Sequence, residues 1–133
     1  MKKVLTLILY SAVLSSVLIY FTGCAAALVG AGAGAGVGAY AYSKGELKSV
    51  ETASVDKVWK AVEKTVDEMG FVVQSKSKDA LAGIVEAQGA NDKKITIKIN
   101  FVTEKTTEVK IRVGFFGNET YSYQILKTIR SHL

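Results

Sequence analysis

The chain has 133 residues, with 17 Lys+Arg against 12 Asp+Glu, one His, one Cys and no Pro. Its formal net charge is +5 and its hydrophobic fraction 49%. This excludes a large enzyme, a multi-domain assembly, a disulfide scaffold and a disordered chain. The charge is unevenly spread: no charged residue lies between Val4 and Ser43, and every acidic residue lies within 44–133.

The N-terminus opens with a short positive stretch, Met1-Lys2-Lys3, followed by an uncharged run of 18 residues from Val4 to Phe21. As a helix that run spans about 27 Å, so length alone does not separate a signal peptide from a membrane anchor. The run ends in Phe21-Thr22-Gly23-Cys24. This resembles the bacterial lipobox, an apolar residue, a small residue, Gly or Ala, then Cys, although Leu is usual where Phe21 stands. The resemblance implies cleavage before Cys24 and lipid on its thiol, with 1–23 as signal peptide. The alternative is an uncleaved helix with Cys24 idle. Either way, positive charge ahead of the helix holds the N-terminus inside and places residues 44–133 outside the cytoplasm. Ala25 follows the cysteine. In Gram-negative lipoproteins an Asp there favours inner-membrane retention, so the resemblance implies a periplasm-facing outer-membrane location. Two or more acyl chains anchor stably. The lone cysteine precludes an intramolecular disulfide.

Residues 24–43 hold the cysteine and an Ala/Gly-rich arm. Two readings stand. One is a tether between lipid and domain. The other uses the spacing of Gly30, Gly34 and Gly38, which lays small residues on one helix face for close helix–helix contact in a membrane, giving a homo-oligomer. All the arm's glycines are at even positions, so a G-x-G-x-x-G nucleotide fingerprint cannot occur.

Residues 44–133 read as one folded domain. A strand is expected over Glu46–Ala53, with imperfect alternation because Leu47 and Val50 differ in parity. Ser54 is a plausible N-cap. Val55, Val58, Trp59, Val62, Val66 and Met69 then form an amphipathic helix stripe ended by Gly70. Trp59 is expected in the core. Phe71–Ser77 and Gly83–Ala87 read as strands joined by Lys78-Asp79-Ala80. Ile95, Ile97, Ile99 and Phe101, then Val109, Ile111, Val113 and Phe115, alternate with polar residues as two half-buried antiparallel strands. If these odd-numbered residues share one face, paired numbers sum to an even value. That demands an odd-length loop around Glu104–Thr106, or a bulge. Asn118 caps a last helix carrying Tyr121, Ile125, Leu126, Ile129 and Leu133, with Ser122 on the same side. The fold class expected is α+β, in the order β-α-β-β-β-β-α, with an antiparallel sheet and both helices on one face.

The segments AYSKGEL at 41–47, DKVWKAVEKTVDEMGF at 56–71 and RVGFFGNETYSYQIL at 112–126 resemble an uncharacterised family of small proteobacterial lipoproteins, classed only as a domain of unknown function. The resemblance implies location and domain size, and carries over no activity and no functional residues.

Residues suited to chemistry are sparse. His132 is penultimate and expected to be frayed. No Cys/His metal spacing exists, so no cofactor is expected beyond covalent lipid on Cys24. Glu63, Asp67 and Glu68 face away from the apolar stripe, where nothing would tune their pKa. The chain therefore reads as non-enzymatic. Its expected surface feature is basic: Lys98, Lys110 and Arg112 on the outer sheet face, extended by Lys76, Lys93 and Lys94, read either as a solvated sheet face with interspersed charges or as a contact for anionic envelope polymers or envelope proteins. Nucleic acid is disfavoured by compartment. Two other functions fit the same residues: an oligomeric membrane-active protein working through the glycine arm, and a carrier holding a small apolar ligand between helices and sheet.

Overall fold

The computed structural model describes residues 1–8 and 39–133. Residues 2–8 are helical. A separate compact unit runs from Tyr40 to Leu133, and so takes in four residues of the arm. Its elements are β1 (Ala41–Ser43), β2 (Glu46–Glu51), α1 (Val55–Glu68), β3 (Val72–Lys78), β4 (Ala82–Gln88), a 3-10 turn (Ala90–Asp92), β5 (Lys94–Thr103), β6 (Thr106–Val113) and α2 (Glu119–Ser131). The strands form one antiparallel sheet in the order β1-β2-β6-β5-β4-β3. The α+β class and the order of elements agree with the expectation, with β1 added at one edge.

The period-2 pattern sets the register. Ile95 pairs with Val113, Ile97 with Ile111 and Ile99 with Val109, so odd numbers face odd numbers. The parity constraint is met by a bulge between Phe101 and Thr103 above the Glu104-Lys105 turn. Six isoleucines and valines of β5 and β6, with Leu47, Val85 and Ala87, line one sheet face, each almost wholly buried. Val55, Val58, Ala61, Val62 and Val66 of α1, and Ile125, Leu126 and Ile129 of α2, close over that face. Burying each such side chain contributes about 1.5–3 kcal/mol. Ser122 is also fully buried against the sheet, and its Oγ has no hydrogen-bond partner among the described residues.

The helix ends follow local rules. Ser54 accepts from Lys57 N, Asn118 accepts from Tyr121 N at 2.9 Å, and Gly70 takes φ +70° just past α1. In the β3–β4 turn the Asp79 carboxylate accepts the N–H groups of Leu81 and Ala82, both at 2.8 Å. Those two donors hold its pKa below the ordinary carboxylate range.

Trp59 is half-buried rather than enclosed. Its ring lies over Gly83, where a Cβ would stand 2.8 Å from Cε3 and Cζ3. Gly83 is a core-facing position of β4 that supplies no side chain, and the indole occupies that space.

Two expected core residues leave the core. Phe101 is 43% exposed, next to the bulge. Phe115 is 86% exposed and lies beyond β6, which ends at Val113. Gly114 donates the last ladder bond to Lys94 O at 2.8 Å and then turns the chain out with φ +72°. Parity counting assumes extended backbone throughout, and a left-handed glycine breaks it. The first expected strand also stops early, at Glu51, with Ala53 buried beyond it.

Candidate functional site

The sheet face opposite the helices carries the even-numbered side chains of β2, β6, β5 and β4. The register places Lys48 directly across from Lys110, and Lys110 directly across from Lys98. Three ammonium groups therefore stand in one row across three neighbouring strands. Like charges directly opposite destabilise a sheet. Lys110 is relieved by Glu108 on its own strand, with Nζ 3.1 Å from Oε2, and Glu108 also accepts from Asn100. Lys48 and Lys98 are exposed and make no ion pair among the described residues. Lys98 borders a shallow depression of about 210 Å³ shared with Lys78, Ile84 and Asn100.

The expected basic trio is thus divided. Lys98 and Lys110 are neighbours, whereas Arg112 is committed elsewhere. Its Nη2 donates to Lys44 O at 2.8 Å and its Nη1 to Phe115 O at 3.2 Å. Lys48 takes its place in the row. Two of the three expected extensions are paired, Lys94 with Glu86 at 2.9 Å and Lys76 with Glu63 of α1 at 2.9 Å, whereas Lys93 is exposed and makes no ion pair among the described residues.

The Arg112 hydrogen bonds join two turns. The β1–β2 turn is Lys44-Gly45, with φ +52° and +78°. The loop after β6 is Gly114-Phe115-Phe116-Gly117. A Cβ on Gly45 would stand 2.5 Å from Phe116 O, and one on Gly117 would stand 2.3 Å from Gly45 O. The two backbones touch where only glycine fits. Phe115 and Phe116 project from this braced base at 86% and 88% exposure, with their rings edge-on to each other at 5.0 Å.

A third cluster is buried. Glu51 lies on the core face of β2 and is 5% exposed. Arg130 of α2 reaches it with Nε at 3.0 and 3.1 Å from the two carboxylate oxygens and Nη2 at 2.9 Å from Oε1. Nη2 also donates to Ser49 Oγ at 2.8 Å, and Ser49 donates to Glu51. All three are held by one another, in an arrangement suited to joining α2 to the sheet.

His132 is positioned rather than frayed. It forms the C-cap of α2, and its Nε2 lies 2.6 Å from Glu68 Oε2 at the end of α1. Two helix C-termini are joined there, and Glu68 is accordingly partnered.

Phe21, Thr22, Gly23, Cys24, Gly30, Gly34 and Gly38 lie outside the described residues. Among the described residues no helix is long and apolar enough to cross a membrane.

A family pattern described as "Protein of unknown function (DUF3568)" matches residues 3–132. The chain belongs to this family. The match takes in the apolar run, the Cys24 stretch and the arm as well as the sheet and helices, so the family is defined over the N-terminal segment and the folded unit together. A search of curated proteins found no match.

Proposed function

We propose that this DUF3568 protein is a cell-envelope lipoprotein, lipid-anchored at Cys24 in the outer membrane, whose folded unit is a non-enzymatic binding module for anionic envelope polymers. One observation carries the binding role: Lys48, Lys110 and Lys98 stand directly opposed on a sheet face that neither helix covers. Lys110 is relieved by Glu108, but Lys48 and Lys98 make no ion pair among the described residues, and a phosphate- or carboxylate-bearing polymer laid across the strands would supply their counter-charge. The anchoring role is supported by Phe21-Thr22-Gly23-Cys24 at the end of an apolar run behind Lys2 and Lys3.

Anchoring is tested by mass spectrometry of the mature N-terminus. The expected species begins at acylated Cys24, and Cys24→Ala abolishes lipid labelling. An intact Met1, or a mature chain starting at any other residue, overturns it.

Binding is tested with the full chain against the phosphorylated core oligosaccharide of lipopolysaccharide. Each lysine near an anionic surface contributes about 1 kcal/mol at moderate salt. Changing Lys48, Lys98 and Lys110 together to Gln should therefore weaken binding on the order of 100-fold and flatten its salt dependence. Equal binding by the triple variant sinks this assignment.

A further inference from the structure

We infer that the Gly114–Gly117 loop is a membrane-contact point, which seats Phe115 and Phe116 in the interface of the bilayer that holds the lipid anchor. The inference rests on the lipoprotein reading and adds to it the surface by which the folded unit meets the membrane.

Phe115 and Phe116 are exposed on a braced loop. Two adjacent phenylalanines at 86% and 88% exposure leave most of their apolar surface in water. The loop below them is braced. Arg112 donates to Phe115 O and to Lys44 O, and Gly117 and Gly45 are in backbone contact. This bracing fixes the backbone that carries the two rings. It presents them as a wedge whose immobilisation cost is already met within the fold.

At this end of the sheet the start of β5 brings Lys93 and Lys94, and the β1–β2 turn brings Lys44. The carboxylates at this end are Glu86, paired with Lys94; Glu46, across from Arg112; Asp92, which accepts from Gln88; and Glu119 beyond the loop, which accepts from Tyr40. Lys44 and Lys93 make no ion pair among the described residues; Lys44 lies in the turn bonded to Arg112, and Lys93 precedes Lys94, whose carbonyl accepts from Gly114. Apolar rings with lysines beside them match an interface of acyl chains below anionic headgroups.

The folded unit begins at Tyr40, and β1 leads directly into the Lys44-Gly45 turn that touches the loop. Residues 25–39 separate it from Cys24, a span of at most about 58 Å fully extended. A lipid on Cys24 would hold the loop at high effective concentration over the bilayer, where two rings suffice for a contact that would be weak from free solution.

The test uses the full chain in vesicles of phosphatidylethanolamine and phosphatidylglycerol, with Trp introduced as Phe115→Trp or Phe116→Trp. Trp59 lies by Gly83, at the opposite end of the strands from this loop, so the parent protein supplies the baseline. The expected result is a blue-shifted loop signal that is quenched by lipids brominated near the headgroup, while Trp59 emission is unchanged. An unshifted, unquenched loop signal in acylated, membrane-bound protein overturns the inference and leaves the anchor reading standing. A blue shift without lipid quenching also overturns it, because the rings are then covered by another protein surface. Quenching in protein that carries no acyl group supports the loop contact while removing the anchor. Absence of both acyl group and quenching removes both.

Discussion

Arg130→Met should cost about 3–5 kcal/mol, the expected result of leaving a buried carboxylate without its cation. In the native protein Glu51 is 5% exposed, and its two oxygens accept from Arg130 Nε and Nη2 at 2.9–3.1 Å. Removing the guanidinium leaves the Ser49 hydroxyl as the donor seen at that carboxylate. Against a total stability of about 5–15 kcal/mol for a domain of ordinary size, the loss is a large fraction. The urea midpoint of the single variant is the readout. The double variant Glu51→Leu with Arg130→Met removes both charges and should recover most of the loss, because a well-packed apolar pair is often as stable as a buried ion pair. If the single variant is nearly silent, the cluster is wetter than its burial indicates. If the double variant is no better than the single, the stability came from packing of the Arg130 stem and not from charge pairing.

Gly117→Ala should be comparably damaging, by about 3 kcal/mol or more, for a different reason. The residue holds φ +83°, which costs an L-amino acid about 1–2 kcal/mol. Its new Cβ would then stand 2.3 Å from Gly45 O and 2.4 Å from Gly45 Cα, both backbone atoms with no rotamer to escape into. Gly70→Ala is the matched control. It has φ +70° and nothing within 4 Å of the place its new methyl group would take, so it should show the conformational cost alone. Thermal unfolding of both variants separates the two contributions. Equal losses at Gly117 and Gly70 would mean that the β1–β2 turn and the aromatic loop part easily, and the loop would lose its bracing.

The clean parts of the pattern needed no tertiary knowledge. Ile95 to Ile99 and Val109 to Val113 alternate with polar residues, so their facing and even-sum register follow from side-chain period alone. The helix stripes and the caps Ser54, Gly70 and Asn118 are likewise local, because a cap is satisfied within three residues of itself.

What was not legible depends on partners distant in the chain. Strand β2 alternates poorly because its core face carries Ser49 and Glu51, and Arg130, 79 residues beyond Glu51, supplies the cation that makes a buried carboxylate tolerable there. That also hid the outward facing of Lys48, whose place beside Lys110 is decided by the β2–β6 pairing. Arg112 shows the same limit. Its position on the outer face is periodic, but two carbonyls in separate turns direct its guanidinium. Phe115 was carried out of the core by the left-handed backbone of Gly114, and a glycine adopts that conformation as readily as an extended one. Periodicity reports which face of an element is apolar over short range. Where a charge may be buried, where lysines align and where a glycine turns the chain are set by contacts that form only when β2, β6 and α2 come together.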